Sequence, residues 1–184
     1  MLSARVRMRR RSLPALQRQP VRPPRLRPGR AGTMMPVLDY RHGQAGEDAL
    51  LAHFLACDAG FLAALRARTE LGAYVSKLHA RALRYEAWSG PRLAGLLAAY
   101  QHDASATVHI SNVSVLGDFW RLGIAGRLLE LCLEQARRDG MRHASLEVAG
   151  DNHAALALYG AAGFLPAGPA EGTMLRMQLQ LIHP

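Results

Sequence analysis

The stretch from Phe119 to Gly140, FWRLGIAGRLLELCLEQARRDG, constrains the fold of this chain more than any other. Gly123, Ala125 and Gly126 lie where a strand-like run, TVHISNVSVL, gives way to leucines at helical spacing. Small residues in the first turn of a helix let an external group approach unpaired backbone N–H groups, and the helix dipole favours negative charge there. The junction is therefore either an anion site, suited to a phosphate group, or a turn that only allows close packing.

Strand-like and helix-like segments alternate along the chain, which predicts an α/β fold with a mixed sheet. The predicted helices cover residues 47–65, the run after Gly123, and residues 152–162, while YVSKLHARA is ambiguous. Turn residues at 89–91 predict a hairpin, so part of the sheet is antiparallel. The predicted strands are PVLDYRH, RALRYEAW, RLAGLLAAYQ, TVHISNVSVL, HASLEVA and TMLRMQLQL.

The basic charge of the chain is confined to its start. Residues 1–33 contain ten arginines, five prolines and no acidic residue, whereas the remainder holds 13 basic and 14 acidic residues. Because prolines break helices and the segment has little apolar periodicity, we predict a disordered Arg/Pro-rich extension over 1–34 and a folded domain over 35–184. The formal net charge of +9 therefore favours nucleic-acid binding only through this extension.

Composition also restricts the compartment and the chemistry. No apolar stretch is long enough for a membrane span and no secretory hydrophobic segment follows the first arginines, so we expect a soluble, cytoplasmic protein. Cys57 and Cys132 lie in apolar helical surroundings, which predicts two buried, reduced thiols. His, Cys, Asp and Glu residues do not cluster at the spacing of a metal site, so we predict no metal.

Two motifs in the second half of the chain resemble those of the GNAT acetyltransferase superfamily. VSVLGDFWRLGIAGRLLE is similar to its acetyl-coenzyme A signature, a strand ending LxV followed by R/QxxGxG or R/QxxGxA at a helix start. LEVAGDNHAALALYGAAGF is similar to its second motif, in which LEV is followed by an Asn at the next helix start, then LY and GF. The resemblance, which covers residues 113–164, implies a single domain with a mixed, largely antiparallel central sheet flanked by helices.

The resemblance implies that acetyl-coenzyme A is the co-substrate, and it assigns residues to that molecule. Asn152 would contact it at the start of a helix. Trp120 stands where the family has Arg or Gln, but backbone groups hold most of the pyrophosphate, so we expect binding to persist. The implied pantetheine strand is Val113, Ser114 and Val115, and the implied pyrophosphate loop is Arg121, Leu122, Gly123, Ile124, Ala125 and Gly126.

Acetyl transfer needs a base that takes a proton from the amine and an acid that protonates the departing thiolate. The resemblance puts Tyr159 near the sulfur, in the role of the acid. Glu147 is the first candidate base, because it precedes Tyr159 by twelve residues, a spacing that resembles the ribosomal-protein alanine N-acetyltransferases. His109 is the second candidate base, and simple alternation puts it on one face with Ser111, Val113 and Val115, opposite Ile110, Asn112 and Ser114.

The resemblance puts acceptor specificity in the first helices, here residues 54–78 with Tyr74 and Lys77 as exposed polar candidates, and at residues 100–103. The sequence has no acidic cluster suited to a polycationic acceptor. That absence argues against aminoglycosides. We predict acetylation of a primary amine on a small molecule, such as an amino sugar or an amino acid derivative. The alternatives are a protein N-terminus as acceptor, or a non-catalytic acetyl-coenzyme A sensor or interaction module. A homodimer is left open.

Overall fold

Strands and helices follow the predicted alternation. The computed structural model describes residues 36–168 and 172–181, so the predicted extension over 1–34 lies outside the described residues and stays a prediction. The helices within them are α1 (Glu47–Ala56), α2 (Ala59–Arg66), α3 (Leu71–Arg81), α4 (Ile124–Arg138) and α5 (His153–Ala161). The strands are β1 (Asp39–His42), β2 (Leu83–Ser89), β3 (Arg92–His102), β4 (Thr107–Val115), β5 (His143–Ala149), β6 (Leu165–Pro166) and β7 (Met174–Gln180).

These strands form one sheet in the order β1-β2-β3-β4-β5-β7-β6. The β4–β5 pair is parallel, and the other neighbouring pairs are antiparallel. The expectation of a mixed, largely antiparallel sheet flanked by helices is therefore confirmed. Strand β6 was not predicted, because a strand of two residues has no alternation that a pattern can detect.

Helices cover both faces of the sheet. One face, here called the α4 face, carries α4 and α5 over a core that includes Leu128 and Leu146. The other face, here called the α3 face, carries α1, α2 and α3 around Phe54, Leu78 and Leu96. The two cores have the sheet between them, so a side chain on any strand belongs to one or the other.

The helix predicted over 47–65 is in fact two helices. Asp58 stops the first and begins the second, because its Oδ1 atom accepts hydrogen bonds from Gly60 N at 2.8 Å and Phe61 N at 3.3 Å. The axes of α1 and α2 differ by 119°. Within the described part of the chain no single helix is long and apolar enough to cross a membrane, and only this bent pair passes by combined length and composition.

A β-bulge in β4 changes which of its side chains share a face. Ala98 pairs with Asn112 whereas Ala99 pairs with Ile110, so Ser111 is an extra residue on β4. An extra residue reverses the alternation beyond it. Ile110 accordingly belongs to the α4-face core, while Asn112 lies on the α3 face opposite Ala98.

The predicted facing of His109 is wrong because of this bulge. His109 lies opposite Tyr100, whose side chain packs against the α3-face core. It therefore shares the α3 face with Ser114, which bonds to α1, and not with Val113, which packs against the α4-face core. Counting alternate residues cannot detect one inserted residue, so the sequence pattern gave the opposite answer.

Beyond the bulge, β4 and β5 separate. The two strands pair from Thr107–His143 to Ile110–Leu146. Past that point, within the described residues, β4 pairs only with β3 and β5 only with β7. The result is an opening between the strands, here called the β4–β5 opening, with its closed end at the Ile110–Leu146 pair.

Gly95 on β3 lets α4 approach the sheet at this opening. A β-carbon at Gly95 would lie 2.6 Å from Ile124 Cγ2 and 3.3 Å from Leu128 Cδ1, both on α4. Real side chains do not tolerate the shorter distance, so a larger residue would push the first turn of α4 away from the sheet. The position of that turn thus depends on a glycine of β3, which is separated from α4 along the chain by the whole of β4.

Candidate functional site

The N-terminus of α4 presents unpaired backbone donors. Gly123 is the N-cap with φ of 76°, and Arg121 before it also has a left-handed φ of 64°. No side chain caps this helix, and its first internal bond runs from Arg127 N–H to Gly123 O at 3.0 Å. The three N–H groups before Arg127 therefore precede the first helical bond, in the arrangement that binds anions.

Three of the four other α-helices that the structure describes differ from α4 at this position, whereas α1, whose N-cap is Gly46, likewise has no side-chain cap. The side chains of Asp58, Glu70 and Asn152 cap the N-termini of α2, α3 and α5. A β-carbon at Gly126 would meet only Leu158 Cδ1, 3.9 Å away, so packing does not require a glycine there. Close packing in this region falls on Gly95 instead, which favours the anion-site interpretation of the small residues over the packing one.

The predicted pantetheine strand lines the β4–β5 opening. Val113 and Val115 are half-buried against the α4-face core, whereas Ser114 is buried on the α3 face. The Trp120 indole is 56% exposed, and its Nε1–H donates to Val115 O at 2.8 Å. Trp120, which occupies the position of the family's Arg or Gln, thus binds the end of β4 rather than the helix N-terminus.

A buried polar network ties β4 to α1. His53 Nδ1 donates to Leu93 O at 2.9 Å, and the His53 Nε2 atom accepts from the Ser114 hydroxyl at 2.8 Å. The Asn112 amide donates to Ser114 Oγ at 3.0 Å. Burial lowers the pKa of His53 to about 4, so its imidazole is neutral at physiological pH. This network was not predicted from the sequence, although Asn112 and Ser114, the alternating polar residues of NVS on β4, were its signal.

The two cysteines are free thiols close to these elements. Cys132 is buried, as predicted, and burial raises its pKa to about 12. Cys57 is only half-buried, because it lies at the break between α1 and α2; its Sγ atom is 3.7 Å from His53 Nε2. Burial raises the pKa of Cys57 to about 11, so neither thiol is a nucleophile at neutral pH.

Glu147 and His109 lie together on the α3 face at the closed end of the opening. Glu147 is the first residue of β5 beyond the last β4–β5 pair, and its side chain is 43% exposed. His109 Nδ1 is 3.1 Å from Ser145 Oγ, which fixes the imidazole against β5. Burial lowers the pKa of His109, and nearby His102 and Arg176 lower it further, while Glu147 opposes this. Both candidate bases are therefore accessible from one side.

Tyr159 lies on the other side of the sheet. It is buried in the α4-face core, with its ring centroid 5.8 Å from that of Phe164. Burial raises the pKa of Tyr159 to about 12, so the phenol stays protonated. Tyr159 belongs to α5, and Asn152 is the N-cap of that helix. The Asn152 Oδ1 atom accepts a hydrogen bond from Ala155 N at 3.1 Å, which leaves the amide nitrogen of Asn152 for another partner.

Of the two residues of α3 predicted to contact the acceptor substrate, one is exposed and the other is half-buried. Lys77 is exposed, and its Nζ atom lies 5.6 Å from the centroid of the Tyr100 ring. Tyr74 is half-buried against Phe54, with 5.5 Å between ring centroids, and burial raises its pKa to about 12. Tyr74 is thus a packing residue rather than an exposed polar one.

Within the described residues, no three His, Cys, Asp or Glu side chains are grouped as metal ligands.

Comparison with solved structures finds the same fold in known acetyltransferases. The ribosomal-protein-S18-alanine N-acetyltransferase from Escherichia coli has a TM-score of 0.63 at 20% identity, over 79% of this chain and 94% of that one. An acetyltransferase from Bacillus subtilis in complex with CoA has a TM-score of 0.61 at 21% identity, over 79% and 100%. PaiA N-acetyltransferase from Thermoplasma acidophilum, in complex with coenzyme A, has 0.61 at 11%, over 78% and 99%.

Sequence comparison gives the family. No curated protein matches the chain. The model of the acetyltransferase (GNAT) family matches residues 50–164, which is more than half of the chain and includes the β4–β5 opening, the N-terminus of α4 and Tyr159. The chain therefore belongs to the acetyltransferase (GNAT) family and is an acetyl-coenzyme A-dependent N-acetyltransferase.

Proposed function

We propose that the protein transfers the acetyl group of acetyl-coenzyme A to the primary amine of a small molecule. The observation that carries this proposal is the β4–β5 opening, with an uncapped helix N-terminus beside it and Glu147 and Tyr159 on opposite faces of the sheet. An amine that approaches from the Glu147 side would attack the thioester carbonyl at the closed end. The thiolate would then depart toward Tyr159.

The residues present fit acetyl-coenzyme A. The backbone N–H groups of Ile124, Ala125 and Gly126 would hold the pyrophosphate, and the open space at Gly126 leaves room for it. The backbone of residues 113–115 would pair with the pantetheine arm inside the opening. Trp120 already donates to Val115 O, so the arm would use the other backbone groups of this strand. No part of the anion site depends on the Arg or Gln that Trp120 replaces.

When bound, acetyl-coenzyme A supplies an activated acetyl thioester. Glu147 would accept the proton of the incoming amine, directly or through a water molecule, because only a neutral amine has the lone pair that attacks the carbonyl carbon. Tyr159 would donate its hydroxyl proton to the sulfur as the carbon–sulfur bond breaks. The raised pKa of Tyr159 keeps that proton available at neutral pH. His109 is the second candidate base, on the same face as Glu147.

The proposal also names the class of acceptor, a small molecule rather than a protein N-terminus. The sequence has no acidic cluster that would hold a polycationic acceptor, which argues against an aminoglycoside. A protein N-terminus is the second candidate, since the twelve residues between Glu147 and Tyr159 resemble the spacing in ribosomal-protein alanine N-acetyltransferases. A cytoplasmic location, a homodimer, the absence of a metal and a role for residues 1–34 stay predictions from the sequence.

An acceptor-class assay tests the proposal. The full chain is incubated with acetyl-coenzyme A and three acceptor sets: amino sugars, free amino acids, and peptides with free N-termini. Thiol release gives the rate and mass spectrometry identifies the acetylated product. We expect turnover with a small molecule. Turnover with peptides alone would favour acetylation of a protein N-terminus. Binding of acetyl-coenzyme A without turnover on any acceptor set would favour a sensor.

A further inference from the structure

The α3 face is covered by helices over only part of its width. Its core contains residues of β2 and β3 but, among those the structure describes, none of β5 or β7. Along β7, Arg176 and Gln178 are exposed, whereas Met177 between them is buried on the α4 face. Together with Ser145 and Glu147 of β5 they form a polar strip beside the closed end of the opening.

Arg176 is the cation of this strip, and it lies next to the candidate base. Arg176 and Glu147 are directly opposite each other in the β5–β7 pair, so their side chains leave the same face as neighbours. Arg176 Nη2 is 3.8 Å from Glu147 Oε1, and the Arg176 side chain is 59% exposed. That distance exceeds hydrogen-bond length, so this ion pair uses none of the guanidinium's N–H donors in a hydrogen bond.

Three other arginines that pair with carboxylates are held more tightly. The guanidinium groups of Arg41, Arg92 and Arg127 donate to carboxylates at 2.7, 2.9 and 2.6 Å. Arg176 instead keeps its planar array of donors, the group that proteins use for bidentate recognition of carboxylates. Its location beside Glu147 would bring a bound carboxylate close to the reacting amine.

We propose that Arg176 binds a carboxylate of the acceptor, which makes the acceptor a free amino acid whose amine and carboxylate are separated by one carbon. This inference rests on the proposed function of Glu147 and the β4–β5 opening. The ammonium end of a zwitterion would replace Arg176 as the partner of Glu147, and its carboxylate would replace Glu147 as the partner of Arg176. Each charge of the loose ion pair would thereby gain a hydrogen-bonded partner.

The inference separates the two acceptor candidates. The first residue of a protein has an amide in place of the free carboxylate, so it offers Arg176 no negative charge at that position. An amino sugar likewise lacks the carboxylate. The α-carboxylate of a small amino acid is thus the group that Arg176 would select, and the side chain of that amino acid would lie over the polar strip.

The test compares acceptors that differ only in the carboxylate. Each free amino acid of a panel is assayed beside its amide and beside the amine that lacks the carboxyl group, with acetyl-coenzyme A saturating. Because the amide's amine is less basic, kcat/KM is expressed per unprotonated amine. The enzymes are the wild type, Arg176→Gln, which removes the charge, and Arg176→Lys, which keeps it without the bidentate geometry.

Arg138→Gln is the matched control. Arg138 is also exposed and forms a comparably loose pair, 3.7 Å from Glu134, but it lies in the last turn of α4, away from the opening. Urea unfolding of each variant establishes that the protein remains folded. Arg138→Gln is expected to leave kcat/KM unchanged for acids and amides.

The wild type is expected to favour at least one free acid over its amide, and Arg176→Gln to lower kcat/KM for that acid by about 10- to 100-fold, mainly through KM. Arg176→Gln also removes a charge beside Glu147, and that effect on the base falls on acid and amide alike. The acid-to-amide ratio of kcat/KM is therefore the readout, and Arg176→Lys should give an intermediate ratio. Equal losses for acid and amide, or a wild type that prefers amides, would overturn the role of Arg176 alone. Acetyl-coenzyme A binding with no acetylated acceptor would overturn the proposed function and this inference together.

Discussion

Tyr159 has the surroundings of a proton donor and not those of a base. Its hydroxyl belongs to a side chain buried in the α4-face core, and burial raises the pKa to about 12. A phenol with that pKa remains protonated at neutral pH, and it can give its proton to a departing thiolate because exclusion of water raises the basicity of the thiolate as well. Its distance from the α3 face also keeps it apart from the base candidates, Glu147 and His109.

Tyr159→Phe is expected to lower kcat by about 100-fold while the affinity for acetyl-coenzyme A changes little, because only the proton donor is removed. Rates come from thiol release and affinity from calorimetry. Phe164→Leu, which alters packing around the same ring without touching the hydroxyl, is the control. An unchanged rate in Tyr159→Phe would assign the residue to packing.

The sequence predicts which residues form the proposed site, but it does not predict how their side chains are oriented. Tyr159, Glu147 and Asn152 belong to a continuous motif, and the structure puts all three next to the β4–β5 opening or its flanking helix. The facing of His109 was wrong because the bulge at Ser111 inserts one residue into β4. Arg176 was missed, since a single arginine in an alternating strand looks like any exposed residue until its neighbour across the strand pair is known.

The first turn of α4 is the element on which the proposed pyrophosphate site depends. Its donors are backbone groups, so side-chain changes act by filling or charging the space in front of them. The sequence predicted this element because small residues are a local signal. The role of Gly95 could not be predicted, since its contact with Ile124 joins two segments far apart in the chain.

Ala125→Glu is expected to abolish acetyl-coenzyme A binding, because it adds a negative charge where the phosphate would lie. Ala125→Gln has nearly the same size without the charge, and it should weaken binding less. Calorimetric titration of acetyl-coenzyme A into each protein measures both effects. If Ala125→Glu bound as tightly as the wild type, the anion site would lie elsewhere.

Gly95→Ala is expected to destabilise the protein by about 1–3 kcal/mol, because its β-carbon would overlap Ile124 Cγ2 at 2.6 Å. The same displacement should weaken acetyl-coenzyme A binding by moving the first turn of α4. Gly117→Ala is the control, since a β-carbon there meets no atom within 4 Å. Urea unfolding gives the stability of both variants, and equal stabilities would show that α4 can shift freely.

At the scale of the whole molecule, the polar network around His53 joins α1 to the sheet behind the opening. His53 bonds to Leu93 on β3 and to Ser114 on β4, so one neutral imidazole links three elements. The unfolded chain protonates this residue near pH 6.5, whereas the folded protein resists protonation until about pH 4. Stability from this group is therefore complete above pH 6.5 and declines as the pH falls toward 4.

That decline should amount to about 3 kcal/mol of unfolding free energy between pH 6.5 and pH 4, and His53→Gln should remove it. Urea unfolding at several pH values measures the slope. His153→Gln, at an exposed histidine of α5, is expected to keep the wild-type slope. Equal slopes in the wild type and His53→Gln would mean that His53 does not resist protonation.

The order of elements followed from hydrophobic periodicity, which is a local property and therefore readable from sequence. The break at Asp58 and the bulge at Ser111 were not predicted, because each depends on a single residue inside an otherwise continuous pattern. The divergence of β4 from β5 was not predicted. It is a property of strand pairing across the sheet, and no stretch of one strand encodes it alone.

Amine-dependent release of coenzyme A by the full chain is the decisive measurement. Acetyl-coenzyme A is mixed with the protein, each amine is added in turn, and free thiol is followed together with the acetylated product. We expect at least one small primary amine to accelerate thiol release well above hydrolysis, with one acetylated amine formed for each thiol. Tight binding of acetyl-coenzyme A with no acceleration by any amine would contradict the assignment of this opening as a catalytic site.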